Sequence, residues 1–150
     1  MHVDEEQVKQ RKKDKWFDVW VHIEALAVDK DVVESALKRH VEKMDDVKNI
    51  LVYDRHFTET VKVDKPAKDV EVGYSQIVKV KFLAKDLLTL IGVAMTFGPS
   101  SVEIMSPDKK EVSLSEAQNI VNLITGVVHQ FAAAGVGGII ITPEKKGGTA

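Results

Sequence analysis

Residues 16–28, Trp16-Phe17-Asp18-Val19-Trp20-Val21-His22-Ile23-Glu24-Ala25-Leu26-Ala27-Val28, read as one β-strand whose two faces differ in chemistry. Side chains alternate along a strand, so Phe17, Val19, Val21, Ile23, Ala25 and Ala27 form a wholly apolar face, while Trp16, Asp18, Trp20, His22, Glu24 and Leu26 form a mixed one. The apolar face belongs in a core. The mixed face, with two indoles, an imidazole and two carboxylates, is the kind of surface that meets a ligand, a nucleic acid or another subunit.

Upstream, residues 4–15 have Val8 as their only apolar side chain, which predicts a solvated helix or a mobile arm and sets residues 1–15 apart as a charged segment. Downstream, Asp31 followed by Glu34 at the capping-box spacing predicts a helix start, and Val33, Ala36, Leu37, His40, Val41 and Met44 continue an amphipathic helix to about Asp45. Residues 47–63 are rich in β-branched and aromatic types and predict a strand, a loop and a returning strand, with a turn over residues 64–69. That returning strand alternates cleanly: Val70, Val72, Tyr74, Val78, Val80 and Phe82 on one face with Gln76 interrupting, Glu71, Ser75, Lys79 and Lys81 on the other. Residues 87–97 are too uniformly apolar for a surface helix and are stopped by Gly98-Pro99. A short strand follows over residues 100–106, with Val102 and Ile104 inward. A final helix opens on the capping box Ser113-Leu114-Ser115-Glu116 and ends at Gly135.

The order strand, helix, strand, strand, helix, strand, helix predicts an α+β fold: a ferredoxin-like βαββαβ sandwich with an extra C-terminal helix. Its sheet is antiparallel and four-stranded with both core helices on one face, so each strand should show a dry and a mixed side. One such domain is expected over residues 16–143, followed by a flexible tail over 144–150.

Composition narrows the function classes. The chain has 150 residues, 44% hydrophobic and 29% charged, which is one domain's length with enough apolar material for a core. With no cysteine, disulfides, thiolate nucleophiles and Cys-ligated metal sites are excluded, and no cofactor is expected. The acids after Met1 are unlike a secretory leader and no stretch has the length and apolarity of a membrane span, so a cytoplasmic protein without membrane contact is expected. An excess of Lys over Arg with few Asn and Gln is consistent with a thermophilic source. The net charge of −2 gives no general attraction for nucleic acid.

With the first and third strands as neighbours, the helix-free face would carry Trp16, Trp20, His22 and Glu24, then Ser75, Ile77, Lys79 and Lys81, then Ser101, Glu103 and Met105. The second strand would add either Tyr53, Arg55 and Phe57 or Asp54, His56 and Thr58, unless a bulge changes the register midway. Trp16, Trp20, His22, Glu24, Lys79, Lys81 and Glu103 are therefore the predicted ligand or partner face. Three activities fit it. The leading one is a homo-oligomeric module that binds a small molecule or protein partner at this face or at a subunit boundary. A single-stranded RNA binder would stack bases on Trp16 and Trp20 and hold phosphates with Lys79 and Lys81, with the basic N-terminal segment as an arm. A metal-assisted enzyme would draw on His22, Glu24 and His56, but no third ligand is fixed by spacing and no nucleophile stands beside a base, so no catalytic residue is assigned.

Two C-terminal features point to self-association. Leu114, Val121 and Val128 lie off the main stripe of the last helix and widen its apolar arc. Beyond Gly137-Gly138, the segment Ile139-Ile140-Ile141 is extended and apolar, and predicts either a fifth strand in its own sheet or an oligomer strand on a neighbour's. The glycines from Gly135 to Gly138 follow a helix and open none, so they are a cap and hinge and not a phosphate loop.

Overall fold

The computed structural model describes residues 4–135. They form a mixed α+β structure: α1 (Glu5–Lys13), β1 (Phe17–Ala27), α2 (Lys30–Glu42), β2 (Ile50–Phe57), β3 (Val61–Ala67), β4 (Val70–Ala84), α3 (Leu87–Phe97), β5 (Ser101–Ser106) and α4 (Leu114–Ala134). The five strands make an open antiparallel sheet in the order β2-β4-β1-β5, with β3 pairing to β4 off that path. The chain divides into two units, Met1–Val112 with the sheet and Ser113–Ala150 with α4.

In the sheet unit, β1 pairs with β4 along its full eleven residues in one register, from Phe17 opposite Ala84 to Ala27 opposite Tyr74. That register places Val19, Val21 and Ile23 beside Phe82, Val80 and Val78 on the dry side, all of them buried. Against them pack Leu37 and Val41 of α2 and Leu90, Val93 and Phe97 of α3, so both helices lie on the same face of the sheet. In α2 the spacing of Val33, Leu37 and Val41 keeps one stripe inward. Gln76, the polar break in the dry face of β4, is buried and donates through Nε2 to the Thr58 carbonyl at 3.0 Å.

Several local expectations shift. The cap of α2 is Asp29 and not Asp31: the Asp29 backbone is extended, and its Oδ1 accepts the Asp31 N–H at 2.9 Å. Residues 4–15 resolve to a helix, capped by Asp4, with Glu5 and Glu6 in its first turn and Arg11, Lys12 and Lys13 in its last, charges that complement the helix dipole. The expected turn over residues 64–69 is largely strand, because β3 is an edge that hydrogen-bonds on one side only and tolerates Pro66. Gly73 of β4 makes room there, since a Cβ on it would stand 2.7 Å from Pro66 Cγ. Helix α3 ends at Gly98 in the left-handed region, φ 58°, where a side chain is disfavoured. On β5, Val102 and Ile104 occupy the dry-side register opposite Val21 and Val19 yet remain 43% and 50% exposed.

In the second unit, Ser113 Oγ accepts the Glu116 N–H at 3.0 Å and Gly135, φ 72°, closes α4. The expected oligomer strand Ile139–Ile141 and the tail over 144–150 lie outside the described residues.

Leu37 is 1% exposed and joins α2 to the sheet, so Leu37→Ala is expected to lower stability by about 2–5 kcal/mol in urea unfolding. Leu26→Ala, at a site 54% exposed, should stay within about 0.5 kcal/mol of wild type. Equal losses would mean that α2 does not seal this core.

Candidate functional site: the helix-free sheet face

Two rows of side chains cross the face of the sheet opposite α2 and α3. Asp54, Lys81, Trp20 and Glu103 stand in register on β2, β4, β1 and β5, and His56, Lys79, His22 and Ser101 form the next row. Both lysines turn to the indole, with Nζ of Lys79 and Lys81 at 4.4 and 4.3 Å from the Trp20 ring centroid. Contacts of this kind contribute roughly 0.5–1 kcal/mol each at exposed positions. Lys81 is also 3.7 Å from Asp54 Oδ2, so the row alternates charge around one half-buried aromatic ring. His22 Nδ1 meets Ser101 Oγ at 2.9 Å, and Ser75 Oγ donates to Glu24 Oε2 at 2.9 Å.

A bulge resolves the second strand. The register of β2 shifts between Val52 and Asp54, so Leu51 is paired with Leu83 and Asp54 with Lys81, with Tyr53 as the extra residue between. Asp54 and His56 therefore share the open face, Arg55 turns to Val41 and Asp45 of the helix layer, and Tyr53 also joins the open side.

Tyr53 completes a chain of hydrogen bonds. Trp20 Nε1 donates to Tyr53 Oη at 3.1 Å, and Tyr53 Oη donates to Asp18 Oδ1 at 2.6 Å. Asp18 is 7% exposed, and its second oxygen lies 3.6 Å from Lys12 Nζ of α1. A carboxylate so buried needs such partners, because an unpaired charge away from water is strongly penalised. Lys12 also lies over the Tyr53 ring at 5.6 Å, so α1 covers the Asp18 end of the face. Burial, then the bond to Asp18, push the Tyr53 phenol well above its ordinary range, opposed by the bond from Trp20.

The predicted site residues thus separate into groups. Trp20, His22, Lys79, Lys81 and Glu103 lie together across three adjacent strands, with Glu24 further along β1 beside Ser75. Trp16 stands apart: β1 begins at Phe17, the Trp16 N–H returns to the Arg11 carbonyl at 3.0 Å, and its ring sits under the Arg11 guanidinium at 4.7 Å. The left-handed backbone of Lys15, φ 66°, turns the chain between α1 and Trp16. His22 and His56 flank Lys79 two strands apart, roughly 10 Å at ordinary strand spacing, too far to ligate one ion. Among the described residues, no group of three or more His, Asp or Glu is placed to hold a metal. Sequence reasoning missed Asp18, Tyr53 and Lys12 as a unit; the polar Asp18 beside the first indole was the available signal, while the bulge and the position of α1 were not readable.

An antiparallel sheet covered by helices on one face, carrying an ordered polar and aromatic cluster on the other, defines a mixed α+β protein with an accessible sheet surface. The MJ0538 family model matches residues 18–146, and the chain belongs to that family. No curated protein and no solved structure matches it. Among the described residues, no helix is long and apolar enough to cross a membrane.

The raised phenol gives a pH test with a definite sign. Below pH 10 Tyr53 is neutral in both states; above it the unfolded chain releases the proton while the folded one keeps it, so stability falls as pH rises. Wild type should lose more stability than Tyr53→Phe between about pH 9 and 11 in urea unfolding. Parallel losses in the two proteins would show that the phenol is not held in this way.

Proposed function

We propose that this protein is a homo-oligomeric, ferredoxin-like module of the cytoplasm that binds a small ligand or protein partner at its helix-free sheet face. The strand order β2-β4-β1-β5 with two helices on one face supports the ferredoxin-like reading, β3 being a hairpin arm added to β4. The cluster around Trp20 supports the binding reading, since it offers an aromatic ring with cations and carboxylates fixed at its border.

Helix α4 carries the oligomeric part. It has 21 residues, about 31 Å of helix, and Glu116 is its only acidic or basic side chain apart from His129. None of its residues is buried. Leu114, Val121, Ile124, Val128 and Phe131 are exposed, Leu114 by 87% and Phe131 by 53%. With Ala117 they occupy alternating three- and four-residue steps, the seam by which two helices pack knobs into holes. The positions flanking that seam, such as Gln118, Thr125 and Val127, carry no charge that would repel an identical helix. A second copy of α4 is therefore the occupant this stripe fits best, and burying it would remove a large apolar patch from water.

Light scattering over a range of protein concentrations tests this. Wild type is expected as a dimer or higher oligomer, and Val121→Glu combined with Val128→Glu as a folded monomer. A wild-type chain that stays monomeric from micromolar to millimolar concentration would reject the proposal.

A further inference from the structure

A second site lies away from the Trp20 cluster, where α1 meets the start of β2. A cleft of about 640 Å³ is lined there by Trp16, Arg11, Gln7, Asn49 and Lys85, among others. That volume lies within the roughly 300–1,000 Å³ range of small-molecule sites. Its groups come from three distant stretches of sequence. The Lys85 N–H donates to the Asn49 carbonyl at 3.0 Å, which joins the end of β4 to the residue before β2. Lys110 Nζ bonds to the carbonyls of both Lys15 and Lys85, drawing the start of β1 to the same place.

The charge balance of the cleft is positive. Its acid, Asp14, is already engaged: Arg11 Nη1 lies 3.8 Å from Oδ2, and Gln10 Nε2 donates to Oδ1 at 3.0 Å. Lys85 lines the cleft and is exposed, and no carboxylate lies within ion-pair distance of its ammonium among the described residues. Arg11 lies over one side of the Trp16 ring, a stacked cation and indole of the kind against which a planar ring can extend the stack. Gln7 and Asn49, whose side-chain amides carry both donors and acceptors, are among the residues of the wall. Asn49 is held in the left-handed region, φ 68°, so its side chain is presented by a backbone shape that few residues adopt.

We infer that this cleft binds a nucleotide unit, its base stacked at Trp16 and Arg11 and its phosphate held by Lys85. An aromatic platform, two amides and an ammonium without a carboxylate partner among the described residues match a base, its polar edge and a phosphate, which a purely apolar ligand does not. The nucleotide is either free or one exposed unit of a single RNA strand, since both present the same ring and phosphate. This inference does not depend on oligomerisation or on the Trp20 face.

Calorimetric titration of the full chain with AMP, with single-stranded oligoadenylate and with inorganic phosphate tests it. Binding of AMP, weakened at least tenfold in both Lys85→Glu and Trp16→Leu, is expected for a free nucleotide. Binding of oligoadenylate but not AMP, with the same sensitivity to both variants and a fall as salt rises, would place the unit in RNA. Trp16→Phe keeps a smaller ring and should retain part of the affinity, which separates stacking from loss of fold. The inference is overturned if neither AMP nor oligoadenylate binds, if Lys85→Glu and Trp16→Leu bind as wild type does, or if phosphate alone binds as tightly as either nucleotide probe.

Discussion

A slip of one residue between β1 and β4 would carry Val19, Val21 and Ile23 out of register with the valines and phenylalanine they meet, and would separate Trp20 from Lys81. The fixed antiparallel pairing from Phe17 opposite Ala84 to Ala27 opposite Tyr74 is therefore the constraint on which both the core and the polar face depend. Its strength comes from the dry side. Three apolar residues of β1 and three of β4 are sealed beneath α2 and α3, and burying side chains of this size contributes roughly 1.5–3 kcal/mol each. The polar face takes its strand register from that packing.

The same constraint explains how a face built from charged groups can be so well organised. Lys79 and Lys81 leave neighbouring positions on β4 and converge on one indole, and the carboxylates of Asp54 and Glu103 close the row at its two outer strands. At the other end the sheet does not stand alone. Lys12 reaches from α1 to Asp18, so a helix with no buried residue of its own supplies the counter-charge for the carboxylate beneath it. The Trp16 cleft lies at the same end, where the chain turns at Lys15 between α1 and β1 and residues of α1 meet the start of β2.

Apolar surface that the sheet unit and α4 leave exposed is the other feature a function must account for. Scattered exposed hydrophobes are ordinary on a protein surface, but β5 shows three together on an edge strand and α4 shows five on one helix.

Much of this was written in the chain. Alternation over residues 16–28 and 70–82 gave away both central strands and which side of each was dry, because a period of two depends only on neighbours in sequence. The capping Ser113 and the terminating glycines Gly98 and Gly135 were legible for the same local reason. Trp20, His22, Lys79, Lys81 and Glu103 were placed on one face by parity alone. What the sequence could not decide was anything set by contacts between distant segments. The bulge that turns Tyr53 and Asp54 to the same side, the removal of Trp16 from the strand, and the Lys12 bond that makes Asp18 a buried, paired carboxylate each depend on how α1 and β2 meet the sheet. Periodicity records which side of its own element a residue occupies; only tertiary packing decides what stands opposite it.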